Sequence, residues 1–487
     1  MNRIAGLVAL SVLCIAPRSE AFCGFFVAGS NTKLTNSASQ VALVRQGNHT
    51  TMTLSNTYQG PPENFAMVVP VPVVLQEADV KVLERSVFDH IDGLSAPRLV
   101  EYWEQDPCRV RYPRKGAKYK KSEDLDDLVN GAEREDGAHL GVKIEAKFAV
   151  GEYQILILSA KDSGGLETWL RQSHYSIPDG AAAALAPYVA SQMKFFVAKV
   201  DIKKVHKNAQ GELQLSPLRV SFESQELRLP VRLGLLNAGA KQDLIVYVLA
   251  PDKRYEVANY PNVFIPTNLD VVDAVRKDFA SFYAELFDAT LAPRQGKAVV
   301  TEYAWQTTSC DPCPTPPLDD SEVEILGGDL GRGVVDGSNV QSKLGRSPYA
   351  AGAGWVLTRL HARYDKSTLS DDLIFREAPP MVGGRANWNG TSADAGVQAS
   401  SVNNFQGRYI IRHYWQGAVA CTNPQFGEWG GPPSGDVDEE GRMKAQAARG
   451  LASAKRGKMK LSKVVRSPVP TLGIAGQAPP HHRANSQ

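Results

Sequence analysis

Two short motifs hold the residue types from which covalent chemistry is built. Asp162, Ser163, Gly164 and Gly165 form a D-S-G-G, the arrangement around the nucleophile of trypsin-like serine proteases. That chemistry needs a strained turn presenting the serine Oγ, backbone donors for the oxyanion, and a histidine oriented by a carboxylate. The flanks do not supply it: Ala160 and Lys161 stand where a glycine would precede, Leu166 where a proline would follow, and no A-A-H-C-like segment occurs. Asp162 or Ser163 instead suits the N-cap of a short helix carrying Trp169 and Leu170. The second motif, Cys310-Asp311-Pro312-Cys313, is a C-x-P-C. Such a loop can act as a dithiol–disulfide switch when a helix N-terminus lowers one thiol pKa. Here Pro314, Pro316 and Pro317 follow and disfavour that helix. The structural alternative is that the two cysteines bridge each other, or bridge outward to Cys23, Cys108 or Cys421. Ser163, Cys310 and Cys313 are therefore the catalytic candidates, and the sequence assigns a reaction to none of them.

Other donors are scattered. His90 lies between Asp89 and Asp92, and His361 precedes Asp365 by four residues. Neither has a third donor nearby in sequence, so no metal site is expected. A four-thiolate zinc site would need a second close cysteine pair, which does not exist. P-loop, dinucleotide-binding glycine fingerprint and H-E-x-x-H helix are all missing, and no cofactor is expected. Tyr409, Tyr414, Trp415, Trp388 and Trp429 cluster late in the chain beside Gly and Asn. They could line a carbohydrate or peptide groove, or pack in the core where they alternate on strands.

The compartment follows from the first 21 residues. Asn2 and Arg3 give a cationic start, Ile4 to Ala16 an apolar run, and the triplet Ser19, Glu20, Ala21 puts small residues at the −3 and −1 positions of a cleavage site. This is the pattern of a secretory signal peptide, with a mature chain starting near Phe22. No later apolar run approaches a membrane span. Bulky Phe22 before Cys23 disfavours a lipoprotein anchor. The expected location is outside the cytoplasm: periplasm, cell envelope or extracellular. Of six cysteines, Cys14 leaves with the signal. Cys23, Cys108, Cys310, Cys313 and Cys421 remain as disulfide candidates in an oxidising setting. Formal net charge is +2, so no whole-protein field draws the chain to nucleic acid.

The elements that must position these residues are mostly strands. Val41–Arg45, Thr50–Ser55 and Asn64–Val69 read as the first three, the last ended by Pro70 and Pro72. Two helices should follow, the second starting at Ser95 with Leu99, Val100 and Trp103 as its apolar face. Residues 109–138 are dense in charge and read as a loop or linker. Val142, Ile144, Ala146 and Phe148 alternate with Lys143, Glu145 and Lys147, the period of a half-buried strand. Tyr153–Leu158, Leu227–Leu233, Asp243–Ala250 and Ala298–Trp305 add strand candidates. A helix capped by Thr267 or Asn268 should run through Leu269, Val275, Phe279, Phe282 and Leu286. Pro314 to Arg346 reads as a Pro-, Gly- and Asp-rich loop, with Trp355–Tyr364 and Arg408–Trp415 as late strands. After Gly431 apolar periodicity ends, and the basic segment reads as a disordered tail able to touch anionic polymers or headgroups.

The expected class is α+β, an antiparallel-rich sheet body with packed helices. Its segments are a signal peptide (1–21), an N-terminal α+β segment (22–108), a charged loop (109–138), a main body (139–317), a Gly/Pro/Asp-rich loop (318–348), C-terminal strands completing the body (349–432) and the basic tail (433–487).

Several segments together resemble a known family. They are F-C-G-F-F at Phe22–Phe26, E-N-F-A-M-V-V-P-V-P at Glu63–Pro72, D-S-G-G-L-E-T-W-L at Asp162–Leu170, F-F-V-A-K-V at Phe195–Val200, Q-D-L-I-V-Y-V-L-A-P at Gln242–Pro251, and C-D-P-C. On these the chain resembles the bacterial exported proteins of domain-of-unknown-function family 2330, over residues of about 22–432. The resemblance implies a fold and a compartment, not a reaction. Members often carry C-G-G-F-F-C near the start; Val27 replaces the second cysteine here, leaving Cys23 without a local partner. The expectation is a non-enzymatic binding or structural component of the envelope, its partner an envelope polymer or protein. The alternative is an envelope thiol–disulfide oxidoreductase, or a serine hydrolase.

Overall fold

A computed structural model of the chain describes residues 25–27, 39–56, 66–108, 141–201, 203–207, 213–236, 241–328, 354–385, 396–432, 446–448, 454 and 456–477, apart from His174, Ser176, Pro178, Pro312 and Lys458. Cys23, Trp388 and the charged loop at 109–138 lie outside the described residues.

The centre is a sheet of eleven strands among the described residues. Its middle is formed by β1 (Ser39–Gln46), β2 (His49–Asn56), β3 (Gln242–Pro251), β4 (Val299–Gln306) and β5 (Trp355–Tyr364). The order is β4-β5-β3-β1-β2, with β1 parallel to β3 and the other pairs antiparallel. These strands are buried along almost their whole length, so a sheet covered on both faces is required.

One face of this sheet packs on a second sheet of five strands, which includes Ala66–Val71, Lys194–Val200, Tyr153–Ala160 and Val142–Val150. Val41, Leu43, Val246 and Leu360 meet Val69, Ile155, Ile157 and Phe196 in the interface. The far side of the second sheet is covered by α2 (Ser163–Gln172) and α3 (Ala181–Ala190) through Leu166, Leu170 and Leu185. The opposite face of the central sheet carries α1 (Ser86–Ser95), α4 (Phe279–Leu291) and α5 (Asp320–Leu326). Four layers result: helices, sheet, sheet, helices. The class is α+β with mainly antiparallel pairing, as the clustered strand patterns imply.

The expected strand Leu227–Leu233 is shorter, Leu227–Leu229, and gives way to a 3-10 helix at Arg232–Leu236; four larger expectations change. The helix proposed from Ser95 is instead the end of α1 followed by a strand, Arg98–Glu104. Its residues alternate in burial and pair in parallel with β6 (Arg408–His413), a tertiary partner that outweighs a weak capping signal. The helix proposed from Thr267 starts later: a 3-10 turn at Asp273–Asp278 precedes α4, whose N-cap is Asp278, accepting from Ser281 N at 3.3 Å. The loop of 318–348 contains α5, with a reciprocal capping box between Asp319 and Glu322. It ends on Gly327 at φ +107°, the left-handed region that glycine tolerates.

The fourth change is the tail. Val465, Val469 and Ile474 are buried against α4 with Phe279 and Leu286, so residues 459–477 are a packed arm. Leu461, Val464 and Val465 keep helical spacing over one short turn, Leu461–Val464, and the buried Val469 and Ile474 beyond it continue no period. They follow instead the shape of the surface they cover.

Candidate functional site

The polar groups that converge on a cavity come from segments far apart in sequence. A cavity of about 500 Å³ opens at one end of the interface between the two sheets. Its apolar wall includes Met52, Pro70, Pro187, Met193, Phe222 and Pro230. Prolines have no N–H to offer, so hydrogen bonding is concentrated elsewhere in the lining.

It is concentrated at Asp372. This carboxylate is only 2% exposed. Its Oδ1 accepts from the Tyr188 hydroxyl at 2.6 Å and from the Arg232 backbone N–H at 3.2 Å. Oδ2 faces the Arg228 guanidinium at 3.6 Å, beyond hydrogen-bond length. Burial pushes the Asp372 carboxyl up from its ordinary value, and the hydrogen bond from Tyr188 and the nearby arginines only partly oppose this. Tyr188 is raised as well, by burial and then by the Asp372 charge. Arg228 is held by Glu226, and Arg232 by Asp371. The arrangement offers a ligand one under-used acceptor, two half-exposed guanidinium groups and an apolar wall. This composition is that of a binding pocket.

A second charged cluster is sealed under α1 and α4. A bulge in β4 between Thr301 and Tyr303 leaves Glu302 as the extra residue opposite β5. Glu302 Oε2 accepts from Arg359 Nε at 2.6 Å; Oε1 accepts from the Tyr283 hydroxyl at 2.6 Å and lies 2.7 Å from His361 Nδ1. His361 Nε2 lies 3.1 Å from Asp243 Oδ1. With a carboxylate at each ring nitrogen, both nitrogens donate and the ring is an imidazolium. Burial alone would lower the His361 pKa; Glu302 and Asp243 together raise it to about 9. Burial would likewise raise Glu302, but His361, Arg359 and Tyr283 bring it to about 2. Arg359 also reaches Asp92 of α1 at 2.6 Å, which in turn accepts from Tyr247 at 2.8 Å. The cluster pins both helices to the sheet.

The residues singled out from sequence are dispersed. Ser163 is the first residue of α2, while Asp162 caps it by accepting from Gly165 N at 2.6 Å. Among the described residues no histidine hydrogen bonds to Ser163. Cys310 and Cys313 bridge each other, with Cα atoms 4.9 Å apart. Cys108 and Cys421 form a second bridge, Cα atoms 5.5 Å apart and 313 residues apart in sequence. His90 pairs with Glu322, which ties α1 to α5. The Glu322 hydrogen bond raises its pKa against burial. Tyr409 is in the core, whereas Tyr414, Trp415 and Trp429 are half-buried at the surface. Sequence reasoning missed Tyr188, Arg228, Arg232 and Asp372, since 184 residues separate Tyr188 from its carboxylate. Pro70 and Pro72 were the accessible signal: Pro70 stays within the strand Ala66–Val71, paired with Phe195, Pro72 follows its end, and both line the cavity.

The fold and the cavity define a class: a four-layered α+β protein, stapled by two disulfides among the described residues, with a ligand-sized pocket. The chain belongs to the family described as an uncharacterized protein conserved in bacteria, DUF2330, whose model matches residues 17–376. No curated protein matches it. The crystal structure of baculovirus P35 is similar over 46% of this chain and 67% of that chain, at 12% identity and a TM-score of 0.24, too low to support any inference. No helix among the described residues is long and apolar enough to cross a membrane.

Proposed function

We propose that this is an exported, envelope-associated binding protein, and that the cavity at Asp372 is where it binds. The observation that carries the reading is the convergence of Asp372, Tyr188, Arg228 and Arg232 on one apolar-walled cavity of about 500 Å³. Export is supported by the signal-like first 21 residues and by two bridged cysteine pairs. The ligand class is a compact molecule with an apolar body, an N–H or O–H for Asp372 Oδ2 and an acceptor for Arg228. An enzymatic reading by way of Ser163 or Cys310 and Cys313 has less support. Among the described residues no histidine hydrogen bonds to Ser163, and Cys310 lies against the cluster that packs α1 and α5 on the sheet.

Two experiments test this. Alkylation mass spectrometry on protein from its native compartment should find Cys310 and Cys313 bridged and resistant to mild dithiol. A pair that is partly reduced and exchanges readily would make the thiol oxidoreductase the better reading. Second, a thermal-shift screen of amphipathic amides, amino acids and short peptides should give hits that Asp372→Asn or Arg228→Met abolishes. Hits unaffected by either variant would remove the cavity as the site.

A further inference from the structure

The charge of this chain is strongly segregated. After Glu440 there are ten Lys and Arg residues and no Asp or Glu, so the preceding residues are net acidic although the whole chain is +2. The described part of this basic segment is fastened to the body by apolar side chains. Met459, Leu461, Val464 and Leu472 turn inward to join Val465, Val469 and Ile474 on α4. Lys460 and Lys463 are exposed and Arg466 is half-exposed.

The arm passes beside an aromatic surface. Arg466 N donates to Asp270 O at 2.7 Å, and Asp270 N donates to Ser467 Oγ at 2.8 Å. The Asp270 carboxylate holds Arg412 at 2.8 Å, and the Arg412 guanidinium lies 4.8 Å from the Trp429 ring centroid. Tyr414 meets Trp429 edge-on at 5.3 Å, and Arg466 is within electrostatic reach of Tyr414. A half-exposed Trp–Tyr pair therefore adjoins Arg412 and Arg466, with Asp270 as the acidic group among them, and the exposed Lys460 and Lys463 precede Arg466 on the same arm.

We propose that this surface binds an acidic polysaccharide: sugar rings on Trp429 and Tyr414, and carboxylate or phosphate groups on Arg466, Lys463 and Lys460. The proposal rests on the export reading for its choice of a glycan over nucleic acid, because aromatic faces beside cations also stack bases. A lipid surface fits less well. The arm's apolar side chains are spent on α4, which leaves none to enter a bilayer.

The test uses the purified full-length chain with polygalacturonate as probe, beside neutral dextran, single-stranded DNA and vesicles containing phosphatidylglycerol. Polygalacturonate should bind and be released by salt, while dextran should not bind. Lys460→Gln, Lys463→Gln and Arg466→Gln combined should weaken binding by about tenfold or more, since each exposed pair contributes little alone. The melting temperature should not move, because these side chains are outside the packed face. Trp429→Leu retains apolar packing on Ile410 and should weaken binding without changing its salt dependence. Equal binding of wild type and triple variant, or preference for DNA or vesicles, would overturn the proposal. Because the assay uses purified protein, its failure leaves the export reading untouched, and fractionation tests that separately.

Discussion

The molecule contains two tyrosine–carboxylate–arginine clusters that share their chemistry and differ in closure. In the first, Glu302 is completely buried, yet Arg359, His361 and Tyr283 all donate to it directly. Its pKa is brought to about 2. In the second, Asp372 is almost as buried, but its nearest guanidinium stands off at 3.6 Å and its pKa rises. Burial penalises a charge in both places; the sign of the net effect is set by how many donors are within bonding distance. A saturated cluster locks elements together. One with spare acceptor capacity beside a cavity is available to a ligand.

The sharpest way to break the comparison is Glu302→Gln. Removing the carboxylate leaves Arg359 and His361 buried with their main counter-charge gone. A loss of about 3–5 kcal/mol in urea unfolding is expected. Asp372→Asn should cost less, about 1–3 kcal/mol, since it alters one hydrogen-bonded group that water can approach. If Asp372→Asn is the more damaging change, the roles assigned to the two clusters are reversed.

The pH dependence separates them further. His361 has a pKa raised from its ordinary value to about 9. Its contribution is fully present below pH about 6.5 and is lost as pH rises through about 9. Glu302 is depressed, so its contribution is present above its ordinary carboxylate range and is lost as pH falls through about 2. Asp372 is raised; its carboxylate destabilises the fold above the ordinary Asp range, and protonation on acidification relieves that cost. Unfolding measured from pH 6 to 10 should show an alkaline loss that His361→Gln removes. The smallest effect is expected at Arg228→Met, where a half-exposed pair with Glu226 contributes less than about 1 kcal/mol to stability. A thermal melt should barely move, while ligand binding at the cavity should fall.

The strand framework was largely legible in the sequence. Period-2 alternation at Val142–Phe148 and the apolar runs at Asp243–Ala250 and Trp355–Tyr364 each became a strand, because burial on one or both faces imposes those patterns directly. The cap at Asp162 was legible for the same kind of local reason. Arg98–Glu104 was not, since its strand identity depends on β6, more than 300 residues later. Nor was the arm at 459–477, whose one short helical turn at Leu461–Val464 is too brief a pattern to stand out and whose order comes from the α4 surface.

What the sequence determined by itself was the α+β class, the family likeness carried by its motifs, the cysteines available for bridging and the segregation of positive charge after Glu440. These depend on residue identity and short-range spacing. Only the tertiary structure decided that Cys108 pairs with Cys421, that Glu302 turns inward on a bulge to meet His361, and that Asp372 meets Tyr188 at a cavity. Those outcomes depend on which strands become neighbours. That choice is made by the packing of whole sheets and helices, and no local spacing encodes it.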